Sequence, residues 1–336
     1  MQDLPAATTV SFPTMRSRDL LRMQCPDPDF TIDGVRFCED PGEEESDWLV
    51  CYGDFNGRFE TRVPRKRRIL VITEPKEIRQ PSRAFLDQFG VLLGPGSFPS
   101  FRGTHIASHG ALTWFYPLRD ITTTGFTLSH DFAALEAMQR PPKQAAISVV
   151  ISRKTITPMH RQRLAFVERL RAAIGERLKI YGSGFTPISA KAEVIDPYAF
   201  HLALENNAVD GFWTEKIADA YLGHAFPVYA GCRDLGDYFP AGSFLPIDYD
   251  HTDEAIAAIK MLLDAPEDPQ RIAAVAEARR RLLHEHTLLA LLARTIRALT
   301  PDAQGPRLAA PEQLTFDKGL RTKGERFQKW LRRLTS

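Results

Sequence analysis

Glu215 and Lys216 stand side by side where a helical pattern begins, directly after a threonine. Thr214 is a good helix N-cap, because its hydroxyl accepts an N–H that the first turn leaves unpaired. Ile217, Ala220 and Tyr221 continue the helical period. Before the helix, the apolar run in YAFHLAL closes on the polar pair Glu205-Asn206; after it, Phe226 to Tyr229 reads as a second strand. A strand–helix–strand unit lays a helix N-terminus, with free N–H groups and a positive dipole end, at the carboxyl edge of a parallel sheet. Lys216 in that first turn opposes the dipole and weakens its own helix. A cation at this place predicts a bound anion.

Taken in order, Glu205-Asn206, TEKIADAY (214–221), PVYAG (227–231) and YFPAGSF (238–244) resemble the donor-binding signature of the glycosyltransferase family 10 fucosyltransferases. A lone TEK carries no information; the ordered combination does. The resemblance implies an enzyme that moves L-fucose from GDP-fucose to a sugar hydroxyl, and it speaks to the donor more than to the acceptor. It also implies that protein cations, without a metal, neutralise the diphosphate. Lys216 is one candidate. Arg163 is the other, since the strand and loop SVVISRKTITPMHRQ before it and the apolar spacing after it fit the family arginine better than those around Arg161. Read without the resemblance, Arg163 belongs to a solvated basic helix face with Arg153, Lys154, Arg161 and Arg169.

The resemblance gives Glu215 ribose or fucose hydroxyls; its plain reading is an acid favoured in a first turn. Asn206 can reach ribose or backbone, or form a turn with Asn207. Ser152, at a strand end, is placed at the diphosphate. Tyr181 in KIYGSG is placed at guanine or sugar, with a packed aromatic as the rival reading. Tyr198 and His201 rank below these. Phe212 replaces a tyrosine that many relatives carry before TEK, so that hydroxyl's contact does not transfer to this chain. Family members join a β-linked donor sugar in α linkage, an inversion that needs one displacement and a base for the acceptor hydroxyl. The family places a glutamate for this after a strand of the N-terminal domain, and VITEP offers Glu74 there, fixed before Pro75. Glu77 and Asp54 are the alternatives, and a surface turn acid is the plain reading of Glu74.

Other patterns carry less. Asp248-Tyr249-Asp250 fits a DxD metal motif, but its place just after a strand reads as a turn. His105 and His109 have HxxxH spacing in a Gly/Ser-rich stretch that reads as loop, with no glutamate between them. GSG at 182–184 is too short for a dinucleotide fingerprint. No metal site is expected. From Lys318 to Arg333 the charges are almost all basic, with Phe327, Trp330, Leu331 and Leu334 at helical spacing. That amphipathic pattern suits a membrane surface or a terminal helix packed on the N-terminal domain.

The elements that must position these residues alternate between strand and helix. The chain has 336 residues, enough for two domains of roughly 150 each. DWLVCYGD (47–54), RRILVITEP (67–75) and Val91–Leu93 read as strands of one α/β domain, with a short helix between Arg83 and Gly90 and loop from 94 to 110. GALTWFYPL (110–118) lines a pocket or packs. AISVVIS (146–152), a helix over 159–178, LKIYGSG (178–184) and the opening stretch make a second domain, followed by a helical pattern over 254–300 broken between Pro266 and Pro269. This order predicts a parallel sheet with helices on both faces. The domain reading is 1–143 for an N-terminal acceptor domain, 144–305 for a C-terminal Rossmann-like donor domain, and 306–336 for the basic tail. The resemblance implies the GT-B arrangement, two such domains facing across a cleft.

Net charge is +1, which argues against a nucleic-acid partner, and Cys25, Cys38, Cys51 and Cys232 lack metal spacing and read as reduced thiols, with two disulfides as the alternative. MQDLPAATTV lacks a signal-peptide pattern, and no run approaches the ~20 apolar residues of a membrane span. Set beside the family, these features resemble a bacterial, cytoplasmic member, peripheral on the inner membrane face if the tail binds lipid. The reading is an inverting transferase from GDP-β-L-fucose to a glycan hydroxyl, by family analogy O3 of N-acetylglucosamine. Its rivals are a GT-B transferase for another nucleotide sugar and a non-catalytic glycan- or membrane-binding protein of the same fold.

Overall fold

A computed structural model describes residues 8–13, 18–39, 46–53, 58–75, 80–121, 125–153, 155, 158–301, 303 and 305–315. The described residues divide into two compact units: those within 8–112 with those within 284–315, and those within 113–283. Neither follows the expected division at 143/144. The segment 113–143 joins the second unit, and the chain returns to the first at 284.

The first unit contains β1 (Thr8–Ser11), α1 (Arg18–Arg22), β2 (Thr31–Ile32), β3 (Val35–Cys38), β4 (Trp48–Tyr52), β5 (Arg58–Thr61), β6 (Arg68–Val71), α2 (Arg83–Leu86), β7 (Val91–Gly94) and β8 (Thr104–Ala107). Its main sheet runs β2-β3-β1-β4-β6-β7-β8, parallel except at β2–β3. The stretch expected as loop over 94–110 thus supplies an edge strand containing His105. Successive side chains of a strand point to opposite faces, and here both faces are covered. Val50, Val71 and Leu93 join one core, and Leu49, Cys51, Leu70 and Leu92 join another with Phe85 and Phe89. That double burial is why these strands read as continuous apolar runs.

The second unit contains β9 (Leu118–Arg119), β10 (Thr127–Leu128), α3 (Phe132–Ala137), β11 (Gln144–Val150), α4 (Pro158–Ile174), β12 (Leu178–Tyr181), α5 (Ala192–Ile195), β13 (Tyr198–Leu204), α6 (Glu215–Leu222), β14 (Phe226–Ala230), β15 (Leu245–Pro246), α7 (Thr252–Asp264) and α8 (Pro269–Glu285). Its sheet is wholly parallel, in the order β12-β11-β13-β14-β15. Proline opens both α4 and α8, where its missing N–H is no loss. The remaining elements, α9 (Leu288–Leu299) and β16 (Glu312–Thr315), belong to the first unit, and β16 pairs antiparallel with β5. The expected helical run to residue 300 therefore has a second break, where Thr287 caps α9 by accepting the Ala290 N–H at 3.2 Å. Residues 316–336, with the basic amphipathic pattern, lie outside the described residues.

Two aromatic residues of the signature pack within the unit. Phe239 lies against Trp213 and Tyr221 at centroid distances of 5.1 and 4.8 Å, and the Tyr221 hydroxyl meets Ser243 Oγ at 3.0 Å. GALTWFYPL also packs: Trp114, Phe115 and Tyr116 are buried, and the Tyr116 hydroxyl donates to Asp196 at 2.8 Å.

Candidate functional site

Glu205 directly follows strand β13, and its side chain is wholly buried. Thr214, the residue before α6, donates to that carboxylate twice, from its N–H at 2.8 Å and from its hydroxyl at 2.7 Å. Lys216 Nζ donates to Glu205 Oε2 at 2.8 Å and to Thr214 Oγ1 at 2.9 Å, and lies 3.5 Å from Glu215 Oε1. Thr214 caps α6 as expected, accepting the Lys216 N–H at 3.3 Å. Burial disfavours the Lys216 charge, but the Glu205 and Glu215 carboxylates outweigh it and raise its pKa. Burial likewise works against the Glu215 charge, and Lys216 and Lys191 reverse it, leaving Glu215 below the usual carboxylate range. Both groups are therefore held charged.

The cation at the helix start thus has an anion within the protein. Its presence alone no longer argues for a bound one. Room for Glu205 comes from Gly231 of PVYAG, where a Cβ would stand 2.6 Å from Glu205 Cγ and 2.7 Å from the Tyr229 hydroxyl.

Arg163 is buried in α4, against the plain reading of a solvated face, at 6 % relative exposure. Its Nη1 donates to Asn206 Oδ1 at 2.8 Å, just beyond the end of β13. Its Nε, shielded from solvent, has no hydrogen-bond partner among the described residues, and neither do the Tyr249 hydroxyl and Asn207 Nδ2. Burial lowers the Arg163 pKa, while Tyr249 and Glu205 work to raise it. Arg163, Asn206, Glu215 and Lys216 are therefore gathered at the carboxyl edge of one sheet. The formal charges of Arg163, Lys216, Glu205 and Glu215 cancel, so an arriving anion meets hydrogen-bond donors in a neutral setting rather than a bare positive patch.

The other predicted residues fall differently. Ser152 lies half-buried two residues beyond β11, on the same sheet edge. Tyr181 ends β12, but its hydroxyl is tied to that of Tyr198 at 2.8 Å, and burial with that bond pushes its pKa up to about 12. His201 is a core residue: its Nδ1 meets Ser148 Oγ at 2.8 Å, and burial lowers its pKa to about 3. Glu74 sits half-buried in the first unit, three residues past β6. The alternative bases Glu77 and Asp54 lie outside the described residues. Asp248 accepts the Asp250 N–H at 2.9 Å, so the DxD pattern is a turn, as read. Among the described residues no group of three or more His, Cys, Asp or Glu is placed to hold a metal.

Sequence reading assigned no role to three buried polar groups near these residues. Glu205 was visible as a polar strand end and as part of the ordered signature, but without a role of its own. Tyr249 was absorbed into a turn. Asp219, inside α6, is fully buried and accepts the Phe115 and Tyr116 N–H groups at 2.8 Å each and Lys191 Nζ at 2.5 Å. An acid amid Ile217, Ala220 and Leu222 is the one signal that pointed to it.

Residues 140–271 match the family model described as glycosyltransferase family 10 (fucosyltransferase) C-term. The chain is 40% identical over 76 residues to the alpha-(1,3)-fucosyltransferase FucT of Helicobacter pylori. That stretch is 22% of this chain and 16% of the relative's length. Solved structures of an alpha1,3-fucosyltransferase also align. One covers 90% of this chain and 91% of its own at 19% identity and a TM-score of 0.47. A complex with GDP-fucose covers 98% and 92% at 18% identity and a TM-score of 0.45.

Proposed function

We propose that this chain, whose residues 140–271 belong to glycosyltransferase family 10, transfers L-fucose from GDP-β-L-fucose to a glycan hydroxyl with inversion. The observation that carries the reading is the gathering of Arg163, Asn206, Glu215 and Lys216 at one sheet edge inside the matched segment. Arg163 and Lys216 hold the diphosphate, and Glu215 and Asn206 hold sugar and ribose hydroxyls. Ser152 and Tyr181 flank the nucleotide from the neighbouring strand ends.

The acceptor is a glycan, attacked through O3 of N-acetylglucosamine. Glu74, past the carboxyl end of β6, takes the proton of that hydroxyl as its oxygen bonds to the anomeric carbon. The bond from that carbon to the β-phosphate oxygen breaks on the opposite face, and GDP leaves with the electron pair. Donors fixed before the reaction stabilise that charge without reorganising. Arg163, buried and held by Asn206, is positioned in this way. No metal enters the mechanism. The protein works in the cytoplasm, with residues 318–336 as a peripheral membrane contact; no described helix is long and apolar enough to cross a membrane.

Glu74→Gln tests the base. Loss of general-base catalysis lowers the transfer rate about 10²–10⁴-fold, while GDP affinity by calorimetry stays at the wild-type value. Near-normal turnover removes Glu74 from the mechanism. An acceptor array with GDP-fucose, scored for gain of a deoxyhexose mass, tests donor and acceptor together.

A further inference from the structure

Tyr249 is a tyrosine whose hydroxyl is sealed from solvent and has no hydrogen-bond partner among the described residues. Its ring packs on Phe166 of α4 at 5.7 Å between centroids. Phe166 and Arg163 are three residues apart, on the same face of that helix, so the ring lies beside the arginine. Arg163 Nε is likewise buried without a partner, while Nη1 is committed to Asn206. Two buried donors on neighbouring side chains thus lack an acceptor, a costly state unless a ligand supplies one. Burial raises the phenol's pKa, and Glu205 adds to the rise against the opposing charge of Arg163, so the group remains an O–H donor.

We propose that the Tyr249 hydroxyl and Arg163 Nε together bind one oxyanion of the nucleoside diphosphate, making Tyr249 a ligand-binding residue of this site. The inference rests on the nucleotide-sugar reading above and adds a residue to it. Only a hydroxyl is at stake, so Tyr249→Phe is a clean probe. Removing an unpaired buried hydroxyl leaves the thermal melt of the free protein unchanged or raises it.

GDP is the ligand to titrate, by calorimetry. Tyr249→Phe weakens it about tenfold or more, the scale of a hydrogen bond to a charged group. Combined with Arg163→Lys, the two losses fall short of their product, because both donors serve one oxygen. GDP affinity within about twofold of wild type, or losses that multiply fully, overturns the inference and leaves the nucleotide reading standing. A wild-type protein that does not bind GDP overturns both.

Discussion

Helix α6 takes part in two lysine–carboxylate pairs, and they are built for different ends. At its first turn Lys216 meets Glu205, and in its middle Asp219 meets Lys191. Both carboxylates are completely buried, and the lysines are 21% and 13% exposed. Asp219 spends its other oxygen on two backbone N–H groups of the segment 115–116, so that pair fastens a loop to the helix. Lys216 instead shares a second carboxylate, Glu215, and stands at the sheet edge where Arg163 and Asn206 meet. The same chemistry serves as a fastener in one place and as part of a polar surface in the other. Buried charge alone therefore does not mark a site; its position relative to the carboxyl edge does.

Paired replacements break or sharpen this contrast most strongly. Removing one member of a buried ion pair strands the other, at a cost of about 3–5 kcal/mol. Lys216→Ala and Lys191→Ala should each lower stability to urea on that scale, so neither alone isolates a binding role. Replacing both members with uncharged groups removes the stranded charge. Glu205→Gln with Lys216→Met should recover most of the lost stability yet weaken GDP at least about tenfold, or ~1.4 kcal/mol. Asp219→Asn with Lys191→Met should leave GDP affinity within about twofold. Equal GDP losses in the two double variants would remove the distinction between them.

A smaller effect comes from beneath Glu205. Gly231→Ala places a methyl group within 2.6 Å of Glu205 Cγ. Because that carboxylate is pinned by Thr214 and Lys216, it cannot swing aside freely. Overpacking of this kind costs about 1–3 kcal/mol, read as a lower urea midpoint. GDP affinity should fall with it, since the helix start shifts along with the carboxylate. A variant as stable as wild type would mean that Glu205 has more freedom than its hydrogen bonds to the Thr214 N–H, the Thr214 hydroxyl and Lys216 suggest.

The parallel sheet of the second unit was legible because its strands are apolar on both faces and its helices carry their own start signals, Thr214 and the opening prolines Pro158 and Pro269. The helix-start residues Glu215 and Lys216 were legible for the same reason. Their true partner was not, because Glu205 lies across a loop, 11 residues before Lys216, and only the folding of that loop brings the carboxylate to the helix start. Arg163 was misplaced by residue chemistry alone, which counts neighbouring arginines as a solvated face; burial depends on how α4 packs, which its weakly patterned sequence does not declare. Strand β8 was hidden by glycines and serines around a short edge strand. The unit boundary was missed because RPPK (140–143) looks like a linker, whereas the chain changes units at 112/113 and 283/284.

The weakest of the expected effects separates the α6 pairs from the strand below them. Glu215 is held below and Lys216 above its ordinary range, so the helix-start charges stay fixed near neutral pH. His201 in β13 behaves otherwise. Burial lowers its pKa from the ordinary 6.5 to about 3, so the unfolded chain takes up a proton there before the folded one does. Stability from this group is present above the unfolded value and is lost as pH falls toward the folded one. Between about pH 7 and pH 5.5 that loss is about 1 kcal/mol, from the 1.36 kcal/mol that each pKa unit is worth. His201→Gln, which keeps a polar group near Ser148, should flatten urea stability over that range by this amount while GDP affinity varies with pH no differently from wild type. If the slope survives the substitution, the acid sensitivity lies in other groups and His201 is not the buried neutral imidazole that its bond to Ser148 indicates.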